Sequence, residues 1–299
     1  MKMALTKIQG HTYYYPGATN VGVVRFKNGM ALLVDAGIDA TAGRALAQAV
    51  EAEGLKPKYL IVTHAHPDHF GAAKWLREQY TGLSHYAPPG EVPFLEHPRL
   101  EGQALFGASP LQELEGRFLK GPAMPVDVVM PEGELEIGDK RFTIISLPGH
   151  TYGQVGVLSG DGVLFAGDSL FSEEIMTKYG FPFLLDVEQQ LATLEKLAAL
   201  NPPYVLLAHA NGVVTGVRKL CEQNRARIDE YLTKILEWCD QPLTREDLTE
   251  QVIMDSHMEV DVAQYQMTWA TVGAFLAYLA NRDQLAKSII GGKLYFYRE

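Results

Sequence analysis

The feature that most constrains the fold of this chain is a cluster of histidine and aspartate residues at the end of a predicted strand. Side chains of both types can bind metal ions. The segment KYLIVTH (58–64) is apolar and β-branched, which is typical of a buried strand. The sequence THAHPDHFGA continues from it and supplies four such side chains within six positions: His64, His66, Asp68 and His69. Packing does not explain this density, because buried polar groups without partners are costly. The cluster therefore predicts a metal site.

Three further candidate ligands stand at the ends of other predicted strands. His150 closes ISLPGH, Asp168 closes VLFAGD and His209 nearly closes VLLAHA. In an open α/β arrangement, ligands gather at the strand ends, so we expect these side chains to converge. A zinc ion takes about four ligands, and the seven residues suffice for two ions. One ion is assigned His64, His66 and His150, the other Asp68, His69 and His209, with Asp168 as the bridge.

Strand and helix patterns alternate along residues 1 to about 210, which predicts an α/β fold. A pair of β-branched runs flanks the Asn28-Gly29 hairpin signal, and an Ala-rich helix is predicted over 41–54. Two Pro- and Gly-punctuated segments interrupt this pattern, at 85–130 and 171–186. Long irregular segments in compact domains are often functional, so both are predicted to be lid-like inserts.

The pattern changes near residue 218, where three long helices and a terminal hairpin at Gly291-Gly292 are predicted. This arrangement fits a small winged-helix module, so we expect a catalytic domain over 1–217 and a winged-helix-like domain over 218–299. Residues 219–299 carry 9 Lys and Arg against 13 Asp and Glu, which is a poor match for DNA. Two other roles are packing over the active-site edge and homodimer formation through apolar residues that equally fit a core: Met267, Trp269 and Phe275.

Charge and composition narrow the partners and the compartment. The formal net charge of −10 argues against nonspecific nucleic-acid binding. No apolar run reaches the length of a membrane helix, and the N-terminal residues lack the apolar stretch of a signal peptide. The two cysteines, Cys221 and Cys239, are too far apart along one predicted helix to pair. We therefore expect a cytoplasmic protein with a small-molecule substrate and no membrane partner.

The motifs HAHPDH, PGHT, FAGD and AHANG occur in this order and resemble those of the metallo-β-lactamase superfamily. The resemblance implies a four-layer αββα sandwich with two divalent metal ions at one edge, with Zn²⁺ as the expected metal and Mn²⁺ or iron as alternatives. It also implies that Asp35, in LLVDAG, is a buried aspartate that orients the histidine loop. Residues 218–299 resemble the winged-helix extension of some lactamase-like hydrolases.

Individual positions discriminate among the activities of this superfamily. His66 stands where flavodiiron proteins carry glutamate, which disfavours an oxygen-reducing di-iron role. Asp168 stands where many true metallo-β-lactamases have cysteine or no bridging ligand; it resembles glyoxalase II-type thioesterases, lactonases and phosphodiesterases. Two residues depart from common family patterns and affect the pocket: Gln154 in place of a second histidine, and Tyr152 in place of proline.

The resemblance implies a binuclear hydrolase in which a metal-bound hydroxide attacks a small acyl ester, thioester or lactone. Asp68 is expected to carry the released proton to the leaving group in addition to its ligand role. Aromatic residues form the candidate pocket, although they equally fit a lid core: Tyr14, Tyr15, Phe106, Phe171 and Tyr179. Two alternatives remain, a phosphodiesterase or nuclease of the same fold and a metal-containing nucleic-acid-binding regulator.

Overall fold

Two β-sheets form the centre of the molecule, and the computed structural model describes residues 3–180 and 183–299. Within these residues the first sheet has seven strands, in the order β1 to β7: Thr6–Gln9, Thr12–Tyr15, Val21–Arg25, Met30–Val34, Lys56–Ile61, Ser84–Ala87 and Val128–Val129. Neighbours from β1 to β4 are antiparallel, and those from β4 to β7 are parallel. The chain therefore leaves β4 and β5 at the same edge of the sheet.

The second sheet has six strands within the described residues. They are Gly133–Ile137 (β8), Lys140–Ser146 (β9), Val155–Ser159 (β10), Val163–Phe165 (β11), Tyr204–Leu206 (β12) and Val213–Val214 (β13), in the order β13-β12-β11-β10-β9-β8. All neighbours are antiparallel except β11 and β12, which are parallel. Strands β9, β11 and β12 consequently run in one direction and end at the same edge.

Helices cover the outer faces of both sheets. They are Ala40–Ala52 (α1), Pro67–Phe70 (α2), Ala73–Gln79 (α3), Val92–Glu96 (α4), Arg99–Phe106 (α5), Glu173–Tyr179 (α6), Val187–Leu200 (α7), Arg218–Trp238 (α8), Arg245–Ser256 (α9) and Val262–Ala280 (α10). The sheets meet through residues such as Leu32 and Ile144. Helices α1 and α3 cover the first sheet, and α7 with the C-terminal helices covers the second. The result is a mixed α/β sandwich, as predicted.

Local sequence signals explain where several elements begin and turn. The Asp39 carboxylate accepts hydrogen bonds from the Thr41 and Ala42 amides and caps α1. The Asn-Gly turn between β3 and β4 is present, with Gly29 at φ +78°, a conformation that glycine adopts without a steric penalty. Capping boxes start α9 at Thr244 and α10 at Asp261.

The C-terminal part consists of α8, α9 and α10 followed by a hairpin of Ala286–Ile290 (β14) and Lys293–Tyr297 (β15). An isolated bridge joins Leu243 to Phe296 in the hairpin. The buried side chains of the three helices continue those of α7 and the second sheet, so the core has no break near residue 217. Among the described residues, no helix combines the length and apolar character needed to span a membrane.

The insert over residues 85–130 contains α4, α5 and a 3₁₀ turn at Gln112–Glu115. Its buried Leu105, Leu114 and Leu119 pack with Met267 and Ala270 of α10. The second insert, 171–186, contains α6, and its residues 181 and 182 lie outside the described part of the chain. Helix α10 therefore supports the first insert directly.

Candidate metal centre

The predicted ligands lie where strands of both sheets end at one edge of the sandwich. In the first sheet, β4 leads into Asp35 and β5 into His64. In the second sheet, the chain reaches His150 after β9, Asp168 after β11 and His209 after β12. The shared direction of these strands brings side chains that are far apart in sequence to one place.

The loop after β5 turns its polar residues inward because of its backbone conformation. His66 is extended at φ −86° and ψ 139°, and Pro67 opens the short helix α2. Proline suits this first helical position because its φ is already helical and its missing N–H needs no partner. Asp68 and His69 thereby lie in the first turn, beside the strand end that carries His64.

Three histidines form the first group, called here the His66 triad: His64, His66 and His150. The Nδ1 atom of His66 lies 3.1 Å from Nε2 of His64 and 2.9 Å from Nε2 of His150. Three ring nitrogens thus face a common point.

The second group, called here the His69 triad, consists of Asp68, His69 and His209. Oδ2 of Asp68 lies 3.5 Å from Nε2 of His69 and 3.2 Å from Nε2 of His209. Asp168 stands between the triads, since its carboxylate oxygens lie 3.5 Å from Nε2 of His150, 3.5 Å from that of His69 and 3.4 Å from that of His209. All seven predicted ligands are therefore brought together.

These donor sets fit divalent metal ions. A tetrahedral ion with bonds of about 2.0–2.1 Å to nitrogen holds its ligand atoms about 3.3–3.4 Å apart, close to the separations within the triads. Nε2 of His69 is buried without a hydrogen-bond partner in the described residues, which is costly unless a ligand uses it. In the same residues, the ion pairs of Asp68 and Asp168 run only to histidines, so their negative charge suits a cation.

Asp35 holds two of the ligand histidines from below. Its Oδ2 accepts hydrogen bonds from Nδ1 of His69 at 2.8 Å and from the Thr63 hydroxyl at 3.0 Å. The Thr63 oxygen in turn lies 3.1 Å from Nδ1 of His64, and Oδ1 of Asp35 accepts the Thr63 amide at 2.8 Å. Asp35 has φ +67°, a strained conformation that this network holds in place. The network directs Nε2 of both histidines towards the ligand cluster.

Backbone carbonyls orient two more ligands. Nδ1 of His150 donates to the Phe183 carbonyl at 2.8 Å, and Nδ1 of His209 donates to the Ala18 carbonyl at 2.8 Å. The Thr19 hydroxyl donates to Oδ2 of Asp68 at 3.0 Å. Outer partners of this kind fix the ring orientation and the tautomer of metal-binding histidines.

Two buried glutamates beside the site were not found from the sequence, because they lie in the irregular first insert. Glu91 accepts hydrogen bonds from the Ala65 amide, the Thr151 hydroxyl and the Gly153 amide. Glu101 places a carboxylate oxygen 3.8 Å from Nε2 of His66. Their only sequence signal is an acidic residue among prolines and glycines, which does not distinguish them from surface glutamates.

Gln154, where many relatives have histidine, is fully buried and ties two segments together. Its Nε2 donates to the Leu147 carbonyl at 3.2 Å, and its Oε1 accepts the Asp168 amide at 3.1 Å. The amide side chain therefore positions the backbone of Asp168.

Some of the ligand histidines have a lowered pKa and others have a raised pKa. Burial lowers the pKa of His150 to about 3 and, with neighbouring histidines, holds that of His64 well below its usual range. Burial also disfavours the charged form of His209, but Asp168 and Asp68 outweigh it and raise its pKa to about 11. The pKa of His69 is likewise raised, because its carboxylate neighbours outweigh burial. His69 and His209 must therefore release protons before binding a metal ion.

The candidate pocket residues lie at different distances from the cluster. Tyr14 packs between the sheets, and Tyr15 is buried under the helices of the first sheet. Phe106 packs in the cluster between the insert and α10, whereas Tyr179 is exposed on α6. The ring of Phe171 lies 5.8 Å from that of His150.

Phe183 is a further aromatic neighbour of the ligands. Its ring lies 5.7 Å from that of His66 and 5.5 Å from that of His150. Phe171 and Phe183 therefore flank the His66 triad from the second insert.

Comparison with known proteins assigns this architecture to a family. The sequence profile of the Metallo-beta-lactamase superfamily matches residues 14–209, which is more than half of the chain and includes all seven ligands. The chain belongs to the metallo-β-lactamase superfamily. Within this superfamily, the His-rich groups at the sheet edge imply bound divalent metal ions.

Two curated relatives of this chain carry names that denote hydrolases. A hydroxyacylglutathione hydrolase of Vibrio cholerae serotype O1 (strain ATCC 39541) is 31% identical over 147 residues, which span 49% of this chain but only 44% of the relative. The probable metallo-hydrolase YflN of Bacillus subtilis (strain 168) is 30% identical over 203 residues, or 60% of this chain and 74% of the relative. The chain thus spans less than half the length of the Vibrio relative and about three quarters of the length of the Bacillus relative.

Solved structures resemble the whole chain in fold. A β-lactamase domain protein from Burkholderia ambifaria superimposes with a TM-score of 0.76 at 22% identity, covering 99% of this chain and 93% of that structure. A metallo-β-lactamase family protein from Thermus thermophilus gives a TM-score of 0.73 at 21% identity, covering 99% and 98%. The C-terminal helices and hairpin thus belong to an architecture found in other proteins.

Proposed function

We propose that this chain is a binuclear metal-dependent hydrolase of small acyl esters, thioesters or lactones. The observation that carries the proposal is the position of Asp168, whose carboxylate lies within 3.5 Å of nitrogens from both triads. One carboxylate between two such groups suits two divalent ions that share it. Imidazole and carboxylate ligands accept Zn²⁺, with Mn²⁺ or iron as alternatives.

The protein's own groups suit acyl hydrolysis. Bound divalent ions would supply Lewis acidity, which polarises a carbonyl oxygen and lowers the pKa of water towards about 7. The Asp68 side chain is about 30% exposed, against 9% for Asp168, so it is the more open of the two carboxylates to a substrate. Thr19 holds Oδ2 of Asp68 by a hydrogen bond. Asp68 therefore takes a proton and delivers it to the leaving group.

Replacement of Asp68 by asparagine separates this proton transfer from metal binding. Asparagine keeps one oxygen donor but is not a base at neutral pH, so we expect kcat to fall about 10²- to 10⁴-fold. Metal content should fall much less than kcat. Parallel loss of metal and of activity would remove the proton-transfer role from Asp68.

Aromatic side chains beside the ligands favour an acyl substrate. Phe171 and Phe183 flank the His66 triad, and apolar walls of this kind suit an acyl chain. The name of the Vibrio relative denotes hydrolysis of a hydroxyacylglutathione, which supports the thioester as one member of the proposed class.

A substrate panel tests the reaction. The metal-loaded protein should hydrolyse p-nitrophenyl acetate, an acyl thioester or a γ-lactone, and chelation should abolish turnover. Bis-p-nitrophenyl phosphate and single-stranded RNA serve as comparison substrates. Turnover of these two alone would favour the phosphodiesterase or nuclease alternative. DNA binding at low salt without any hydrolysis would favour the regulator.

We also propose that residues 218–299 form a winged-helix-like domain attached to a catalytic domain over 1–217. The three helices, the terminal hairpin and the bridge between Leu243 and Phe296 support this arrangement. A role in packing over the active-site edge is supported by the contact of α10 with the first insert. Phe275 is buried in the core and Met267 packs against the first insert, which leaves Trp269 as the candidate contact of a homodimer. The unpaired Cys221 and Cys239 support a cytoplasmic location.

A further inference from the structure

Glu91 is a buried charge with partners on both sides of the His66 triad. It is 2% exposed and lies in the first insert, at the start of α4. Its Oε2 accepts the Ala65 amide at 2.8 Å, and its Oε1 accepts the Thr151 hydroxyl at 2.7 Å and the Gly153 amide at 2.8 Å. Burying an ionised carboxylate is costly unless such donors satisfy it. Each of its two oxygens accepts a backbone N–H, a group that can only donate, as expected for an ionised carboxylate.

The donors belong to the two loops that carry this triad. Ala65 separates His64 from His66, and Thr151 follows His150. One oxygen of Glu91 therefore holds the loop after β5, while the other holds the loop after β9. The carboxylate joins the two sheets at the point where His66 and His150 approach to 2.9 Å.

The backbone around Glu91 is built for this contact. A Cβ atom placed on Gly90 would lie 2.7 Å from Cα of Gly153, and one on Gly153 would lie 2.9 Å from Oε1 of Glu91. Real Cβ atoms do not approach other atoms so closely, so both positions require glycine. The two glycines bring the insert close enough for the carboxylate to reach both loops.

We propose that Glu91 is a positioning residue that sets the separation of His66 from His150 and thereby the metal affinity of the His66 triad. The His69 triad has no such dependence, because Asp35 and the Ala18 carbonyl hold its histidines. This inference rests on the two-ion site of the proposed function, but it concerns the site and not the substrate.

Glu91→Gln tests the proposal with little change in shape. An amide has one oxygen, so either the Ala65 link or the Thr151 and Gly153 link loses its acceptor and meets an N–H group. The substitution is placed in two backgrounds, each of which leaves one triad intact. His209→Ala keeps the His66 triad, and His150→Ala keeps the His69 triad.

Binding of Co²⁺ is followed by titration of its absorption, without any substrate. We expect E91Q to weaken binding about 10- to 100-fold in the His209→Ala background, as is typical for outer partners of metal ligands. In the His150→Ala background the affinity should change less than about twofold. Equal weakening in both backgrounds, or none in either, would overturn the proposal.

A matched control lies at the opposite end of the second sheet. Asp161 also joins two segments, accepting the His11 amide and the Thr12 hydroxyl, both at 2.8 Å. Asp161→Asn should leave Co²⁺ affinity unchanged in both backgrounds. If D161N weakened Co²⁺ binding as much as E91Q does, the E91Q effect would be one of general destabilisation, and the proposal would be contradicted.

A second pair of variants tests the proposal even if the double variants, E91Q with His209→Ala or His150→Ala, fail to fold. In the otherwise unaltered chain, Thr151→Val removes one donor to Glu91 and should weaken one of two Co²⁺ equivalents, whereas Thr151→Ser keeps the hydroxyl and should not. Equal affinities for these two variants would contradict the proposal. A protein that shows these shifts but hydrolyses no acyl substrate would refute the proposed function and leave the role of Glu91 intact.

Discussion

His69 is held by a side chain at the end of a strand in the first sheet, whereas His66 and His150 are flanked by residues of the two inserts. Asp35 follows β4 and accepts the Nδ1 hydrogen of His69 directly. Glu101 of the first insert lies near His66, and the Phe183 carbonyl of the second insert accepts from His150. The two triads share Asp168 but depend on different parts of the chain. Substitutions in the inserts should therefore affect the His66 triad, whereas substitution of Asp35 should affect the His69 triad most and reach the other triad only at His64, through Thr63.

The largest loss of activity and of metal affinity is expected from substitution of Asp168, the residue that lies between the two triads. Asp168→Ala removes the carboxylate that contacts His150, His69 and His209. Activity should fall more than about 100-fold, beyond the 10- to 100-fold typical of outer partners, and both metal equivalents should bind more weakly. Metal analysis and kcat/KM check this. Retention of two tightly bound ions would show that Asp168 does not bridge.

Asp35→Asn sharpens the comparison from the side of the sheet. Asparagine tolerates the left-handed backbone at φ +67° but loses the charge that accepts from Thr63 and His69. We expect a loss of about 1–3 kcal/mol in the free energy of unfolding, because buried donors lose their acceptor. Activity should fall about 10- to 100-fold. Thermal unfolding and Co²⁺ titration measure both; an unchanged His69 triad would contradict the role of Asp35.

The two triads should also differ in proton release. The pKa of His209 is about 11, so this histidine is protonated at pH 7 and loses its proton when it binds a metal ion. The pKa of His150 is about 3, so this residue is already neutral and releases none. Metal affinity of the His69 triad should therefore rise with pH, by about tenfold per unit for each proton released.

Calorimetry in two buffers of different ionisation enthalpy measures these protons. His150→Ala, which leaves the His69 triad, should release more protons per ion than His209→Ala, which leaves the His66 triad. If both variants released the same number of protons per ion, the proposed electrostatic difference between the triads would be wrong.

The smallest effect is expected at Glu101, 3.8 Å from Nε2 of His66. Burial lowers the pKa of His66, but the carboxylates led by Glu101 outweigh it, so the net shift is upward. Glu101→Gln should lower that pKa and weaken Co²⁺ binding to the His66 triad by about tenfold or less, because the contact is longer than a hydrogen bond. A larger loss than that of E91Q would invert the proposed ranking of the two glutamates.

The ligands that come after the ends of predicted strands could be predicted from the sequence. His64, His150, Asp168 and His209 each follow an apolar run whose end is visible in the sequence. The parallel direction of β9, β11 and β12 then brings their ends together. The α/β alternation and the terminal hairpin were predictable for the same reason, since periodicity and turn residues mark them, whereas the sandwich was expected from the resemblance to the superfamily.

The contacts that surround the metal ligands were not predictable from the sequence. They depend on the path of segments that have no regular secondary structure. Glu91 and Glu101 lie in an insert whose prolines and glycines give no periodicity. The three consecutive tyrosines after Thr12 suggested a pocket wall, but β2 is a strand between neighbours. Tyr15 consequently packs into the core and Tyr14 between the sheets. Side-chain direction along a strand depends on register, which a short aromatic run does not specify.

The most direct test of the central claim is the metal content per chain, measured by mass spectrometry on protein purified without a histidine tag. Two triads with a shared Asp168 predict about two equivalents of zinc, manganese or iron, and loss of hydrolysis when a chelator removes them. One equivalent at most, with no second ion bound when metal is added to the folded protein, would contradict the two-ion site.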